Sequence, residues 1–231
     1  MRRAEGAVEV LDGDVGAADL AATLGDVDRL NAWFGGYALS LREVRRLAAR
    51  VPPDRTLRVV DVGGGAAAFA VRLAEWARRS GRAIRVVVVE RDAAVLALAL
   101  RVAAEYPEVL LVRGDAGALP LREGAADIVT AGLTLHHLEP EQAVEGLRRM
   151  TAAASIAVVV NDLRRHRLSL GLVWLATRLF RCHPISRHDG PLSVRRAYSS
   201  DELRALAARA GARRLTIHEY RALGRMLAVL S

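Results

Sequence analysis

Short apolar strands alternate with amphipathic helices from Leu57 onward, and this predicts an α/β fold with a doubly wound, seven-stranded mixed sheet. Two further observations sharpen the prediction. Three consecutive glycines, Gly63-Gly64-Gly65, join the first strand to its helix. The last two strands are separated only by Ala222-Leu223-Gly224, a link suited to a C-terminal antiparallel hairpin.

The elements follow in order. Ala17 to Phe34 and Leu39 to Arg50 carry apolar residues at helical spacing, interrupted by Gly35-Gly36 and closed by Pro52-Pro53. They form an expected N-terminal helical lid, residues 1–53, ahead of the main domain, residues 54–231. Leu57 to Val62 reads as the first strand, Ala66 to Arg79 as its helix, and valine-rich Ile84 to Glu90 as the second strand. Asp92 is placed to cap a helix ending near Tyr106, before Pro107. Val109 to Val112, Asp127 to Ala131 and Ser155 to Asn161 supply three more strands. Glu139-Pro140-Glu141 opens the helix between the last two, with proline early and acids in the first turn. Residues 162–198 read as an insertion: an apolar helix, Leu168 to Phe180, expected to be buried or to line a lipophilic pocket, then a polar loop through Tyr198. Ser200 is the expected cap of a final helix ended by Gly211, before the strands Arg214 to Tyr220 and Arg225 to Leu230.

Composition excludes several classes. The chain has 231 residues, 52% of them hydrophobic and only 4% aromatic, so one core built from Ala, Val and Leu is expected. One cysteine, Cys182, rules out a disulfide framework and a cysteine-based zinc site. The charged start, MRRAEGAVEVLDGD, is not the pattern of a signal peptide, and no 18-residue apolar run predicts a membrane span; a cytoplasmic place is the expectation. All 34 basic residues are arginine, which removes Schiff-base and Walker A chemistry. The net charge of +8 is scattered among acids rather than blocked, so no nucleic-acid partner is expected.

The glycine turn offers a helix N-terminus and a close backbone approach to a ligand. Gly63, Gly65 and Ala68 also fit a dinucleotide fingerprint, with Glu90 placed for a ribose, so an NAD-dependent oxidoreductase is one alternative. Asp61 opposes it: a carboxylate two residues before the first glycine repels a diphosphate and favours a cationic ligand without phosphate.

The run Asp61-Val62-Gly63-Gly64-Gly65-Ala66-Ala67 resembles the first motif of class I S-adenosylmethionine-dependent methyltransferases, with Ala67 replacing the third glycine. Gly114-Asp115-Ala116 with Leu119-Pro120-Leu121, Asp127-Ile128-Val129 through Leu135-His136-His137-Leu138, and Asn161-Asp162-Leu163 are similar to its later motifs, in order. The likeness spans roughly residues 55–230. Asp28-Arg29-Leu30-Asn31, Gly35-Gly36 and the tail His188-Asp189-Gly190-Pro191 with Ser193-Val194-Arg195-Arg196-Ala197-Tyr198 resemble a small-molecule branch, found beside polyketide or quinone biosynthesis enzymes. The resemblance implies a Rossmann-like methyltransferase fold, S-adenosyl-L-methionine as cofactor, and transfer to a small phenolic or polyketide-like acceptor. O-methylation is favoured over C-methylation, with an RNA methyltransferase as a further alternative. It implies a cofactor site of Asp61, Gly63, Gly64, Gly65, Glu90, Arg91, Asp115, Ala116, Ala131 and Leu133.

An oxygen acceptor benefits from a base, and His136 and His137 follow the fourth strand at the ligand edge of the sheet; His137 is preferred. Arg164, beside Arg165 and Arg167, is a candidate for an acidic acceptor. The resemblance gives His188 and Asp189 to the acceptor pocket. Cys182, His183, His188 and Asp189 lie close in sequence but have no fixed ligand spacing, and no metal is expected. Trp33, Phe34 and Tyr37 either cap the cofactor or dock the lid. Arginines flanking the apolar helix leave shallow membrane contact open.

Overall fold

The structure is a computed structural model and describes every residue except Pro120. Among the described residues, β1 (Leu57–Val62), β2 (Ile84–Glu90), β3 (Val109–Arg113), β4 (Ala126–Gly132), β5 (Ala154–Leu163), β6 (Leu215–Tyr220) and β7 (Arg225–Leu230) form one sheet. Its order is β3-β2-β1-β4-β5-β7-β6. The first five strands pair in parallel; β7 is antiparallel to both β5 and β6. The expected mixed sheet and terminal hairpin are both present. The chain winds outward from β1 to β3, then returns to β4, so a crevice opens beyond the C-terminal ends of β1 and β4.

Alternation along β1 splits its side chains between two packed layers. Val60 and Val62 pack with Leu147 and Met150 of α5 (Pro140–Ala153) and Leu203 of α8 (Ser200–Arg209). Leu57 and Val59 pack with Val44 and Leu47 of α2 (Gly36–Ala48) and Leu73 of α3 (Ala68–Arg79). The core is aliphatic, as the low aromatic content requires.

Local chemistry sets the helix ends. The Asp92 carboxylate accepts from Ala94 and Val95 N–H and caps α4 (Ala93–Val102), which stops four residues before Tyr106. Pro140 opens α5 inside a Glu139/Gln142 capping box. The cap of α8 is Ser199, not Ser200, because Ser199 and Glu202 form the reciprocal capping box. Gly35 takes a left-handed φ of 74°, and α2 begins at once on Gly36. A side chain at Gly36 would collide with Asn31, which explains the small residue.

The insertion after β5 differs most from expectation. The stretch read as a polar loop is largely helix α7 (Pro184–Arg196), despite Pro191 in its interior. Tertiary contacts hold it where periodicity is weak. Buried Asp26, on α1 (Ala17–Trp33), accepts from the His183 N–H at its start and from the Ser186 hydroxyl. The preceding α6 (Arg167–Leu179) is neither buried nor part of the pocket wall: it buries only Ser169, Ala176 and Thr177. None of the helices is long and apolar enough to cross a membrane, among the described residues.

Candidate active site

The crevice between β1 and β4 opens into a cavity of about 640 Å³. That is room for a cofactor and a small second molecule. Its floor is the turn from β1 to α3. Gly63 has φ 64° and Gly65 φ 54°, both left-handed. A Cβ on Gly63 would lie 2.5 Å from the Thr134 hydroxyl, and one on Gly64 would lie 2.7 Å from an Asp61 carboxylate oxygen. A Cβ on Gly65 would meet nothing within 4 Å. The turn is therefore packed beneath and open above, where its side chains would otherwise fill the ligand cradle. Ala67, at the place of the resemblance's third glycine, is also left-handed at φ 64°. That conformation costs a non-glycine residue roughly 1 kcal/mol.

Asp61 is buried under this turn and accepts from Thr130 Oγ1 at 2.6 Å. Burial, with a smaller push from the Glu90 carboxylate, raises its pKa to about 7 against the Thr130 hydrogen bond. A carboxyl held this way gains from a cationic ligand and repels a diphosphate. Glu90 ends β2 on the cavity wall; its oxygens accept from Gly65, Arg91 and Asp92 N–H groups, with lone pairs left over. Asp115 accepts from Gly117 N–H and so fixes the short turn at Ala116. Arg91, Ala116, Ala131 and Leu133 also line the cavity, and Leu133 has a left-handed φ of 54°. The predicted cofactor residues thus lie around one cavity, and a buried carboxyl that gains from a cation, under a glycine cradle, suits a sulfonium donor. Within the Leu119-Pro120-Leu121 motif, Pro120 lies outside the described residues.

The opposite wall carries the imidazoles. His136 is buried, and its Nδ1 lies 2.6 Å from Asp162 Oδ1. Asp162 also accepts from the His136 and Leu163 N–H groups. Burial pushes the Asp162 pKa up, but the His136 imidazole and these donors outweigh it and hold it below the usual range. His137 Nδ1 lies 3.2 Å from Asp12 Oδ2, and Asp12 is likewise held low, against its burial, by His137 and Arg196. An ionised carboxylate only accepts, so each Nδ1 carries a proton toward it.

Sequence reasoning missed four residues here. Glu9 and Asp12 arrive from the N-terminal segment, Arg196 from α7 and Arg225 from β7. Glu9 Oε1 lies 3.8 Å from His136 Nε2 and 3.5 Å from Arg196 Nη1, and Oε2 lies 4.0 Å from His137 Nε2. Burial raises the Glu9 pKa. Glu9, His136 and His137 bring three potential metal ligands within 4.8 Å of one another. Zinc bonds of about 2.0–2.2 Å need tighter spacing, and the Arg196 guanidinium already supplies the positive charge. Glu9 and Asp12 had no signal in the sequence: a short acidic segment without periodicity meets partners far along the chain.

Other predicted residues are placed differently. Asp189 lines the cavity, but its carboxylate accepts from Val10 and Leu11 N–H at 3.0 and 2.9 Å, tethering the N-terminal segment across α7. His188 is exposed and, among the described residues, reaches only Asp189. Arg164 pairs with Glu219 at 3.1 Å, off the cavity wall, because β7 and β6 flank β5 there. Tyr37 lines the cavity and stacks on Phe69. Trp33 packs on Phe180 instead and is exposed.

Residues 60–159 match the family model described as a methyltransferase domain. No curated protein matches the sequence. The solved CurJ carbon methyltransferase is similar at 14% identity with a TM-score of 0.67, over 95% of this chain and 61% of that one. A SAM dependent methyltransferase from Aquifex aeolicus is similar at 16% identity with a TM-score of 0.57, over 80% of this chain and 87% of that one. The CMeT domain of the citrinin polyketide synthase is similar at 12% identity with a TM-score of 0.62 over 81% of this chain, which spans 49% of that domain's length. The NAD alternative is thereby set aside. Residues 60–159 match a methyltransferase domain, and the chain has the seven-stranded fold of the solved S-adenosyl-L-methionine-dependent methyltransferases.

Proposed function

We propose that the protein methylates a hydroxyl oxygen of a small, largely apolar acceptor of the phenol or polyketide class, in a cytoplasmic biosynthetic reaction. S-adenosyl-L-methionine, when bound, supplies an activated methyl group on a sulfonium, so the chain needs mainly to align acceptor and methyl and to exclude water. Asp61 would face the amino end of the donor, Gly63 to Gly65 would give close backbone approach, Glu90 would hold the ribose, and Asp115 with Ala116 would hold the adenine. Arg91 would cover the ribose side, and Ala131 to Leu133 would pass beneath the donor.

An acceptor hydroxyl bound here would give its proton to His137 Nε2, leaving its oxygen to take the methyl group that the sulfonium would supply. The observation that carries this is the placement of His137 on the wall of the glycine-turn cavity, with Nδ1 held by Asp12 and part of its side chain open. His136, locked by Asp162 and with its ring 4.3 Å from that of His137, positions it. Asp189 shapes the acceptor side by holding the N-terminal segment. A carbon beside a phenol needs the same deprotonation, and likeness to a carbon methyltransferase keeps C-methylation as the second reading.

The test is calorimetric titration with S-adenosylhomocysteine, followed by a phenol panel read by mass spectrometry. Wild type binds and methylates, Asp61→Ala loses binding, and His137→Ala binds but turns over slowly. An unchanged rate in His137→Ala removes the base assignment.

A further inference from the structure

Helix α6 is inside out. It buries Ser169, Ala176 and Thr177, leaves Leu170 and Leu172 half-buried, and turns three leucines to solvent: Leu168, Leu175 and Leu179 are 51%, 54% and 67% exposed. These three recur on one helical face. Trp174 and Trp33 extend the patch at 49% and 56% exposure, with the Phe180 ring 4.5 Å from that of Trp33. A helix that faces its own core shows the reverse pattern, and a contiguous apolar patch of this kind marks a docking surface.

Charge identifies the occupant. Arg167, Arg178, Arg181 and Arg187 are exposed around the patch, and none makes a salt bridge among the described residues. Helix α6 contains no acidic residue. The Arg178 guanidinium lies 4.2 Å over the Trp174 ring. Leucines inward, tryptophans at the margin and arginines at the rim suit an anionic lipid headgroup layer. A two-fold contact between copies would gather both sets of these unpaired arginines around one interface. We propose that α6 and the end of α1 dock this protein on an anionic membrane surface, with α6 lying in the interfacial plane.

The position has a chemical use. Helix α7 packs on α6 on one side, so closely that a Cβ on Gly190 would lie 3.0 Å from Val173. On its other side, Ser186, Asp189 and Ser193 line the cavity. A docked protein therefore holds its cavity one helix from the bilayer, which suits an acceptor carrying a lipid-like tail.

Vesicle co-sedimentation and tryptophan fluorescence test this on the full chain, and do not depend on methyl transfer. Partition into phosphatidylcholine vesicles carrying phosphatidylglycerol should exceed that into pure phosphatidylcholine by roughly tenfold or more, with a blue-shifted emission. The Leu175→Asp/Leu179→Asp variant should lose about tenfold or more of it. Replacing Arg167, Arg178 and Arg181 by Gln should remove the preference for anionic lipid. Leu100→Ser, changing a leucine 63% exposed on α4, should bind like wild type. Melting curves confirm that each variant folds. Absence of binding, equal binding by the leucine variant, or a wild-type dimer that the leucine variant splits would each overturn the proposal.

Discussion

Asp61 makes the site unstable in a way that can be measured without any ligand. Its carboxyl is 3% exposed, has one hydroxyl donor, and is raised from 3.8 to about 7 mainly by burial. The neutral form is therefore favoured in the fold, whereas the unfolded chain ionises near pH 4. The stability this group contributes is whole below the unfolded pKa and is lost as pH rises through about 7. Three pKa units correspond to about 4 kcal/mol, of which roughly 3 kcal/mol is lost between about pH 5 and pH 9. Asp61→Asn removes the ionisation and keeps an acceptor for Thr130, but leaves new amide protons to satisfy at a cost of about 1–3 kcal/mol. Its melting temperature relative to wild type should therefore climb by roughly 6–12 °C from the acid to the alkaline end, at about 2–4 °C per kcal/mol for a chain of this size. Differential scanning calorimetry of the unliganded proteins reads this directly. A melting difference that stays constant across the range refutes the reasoning. The same variant should lose affinity for S-adenosylhomocysteine, trading function for stability.

Other consequences are equally specific. Gly63→Ala should reduce S-adenosylhomocysteine binding and destabilise by about 2 kcal/mol or more, since it combines a left-handed φ with a 2.5 Å approach to Thr134; calorimetry showing wild-type affinity would contradict it. Asp189→Ala should speed hydrogen exchange of the Val10 and Leu11 amides with a stability loss of about 1–3 kcal/mol, because those N–H groups lose their acceptor; unaltered exchange would show that the segment is held elsewhere. Asp127 accepts from Arg55, Arg58 and the Arg58 N–H, and these partners outweigh its burial and hold its pKa below 3.8. Its contribution is present above about pH 4 and lost as pH falls further, so Asp127→Asn should be less stable at neutral pH and flatter in acid denaturation.

The sheet was legible because its strands are short, mostly apolar and bounded by turn residues. β1 and β2 were read with their observed ends from that signal alone. The glycine turn and Asp61 were legible because function there is local: ligand contacts come from consecutive backbone positions. Helix α7 was not, since Gly190-Pro191 spoil its periodicity and buried Asp26, distant in sequence, holds its first turn. Helix α6 misled for the opposite reason. Its apolar content suggested burial, but which face a helix buries depends on what packs against it. The wall opposite the glycine turn was half legible: His136 and His137 follow a strand, but their partners Glu9 and Asp12 sit in a segment whose only landmark is its negative charge.

That segment also sets when the site is finished. Glu9 and Asp12 leave the ribosome well before their docking points, Asp189 and Arg196, are made. The nascent chain can assemble β1 to β5 and the glycine turn long before residues 9–12 have anywhere to bind. The wall that meets the acceptor therefore forms only after the strands that carry the glycine turn are made. A chain shortened by its first dozen residues would still fold around its cofactor, with an acceptor wall that never closes.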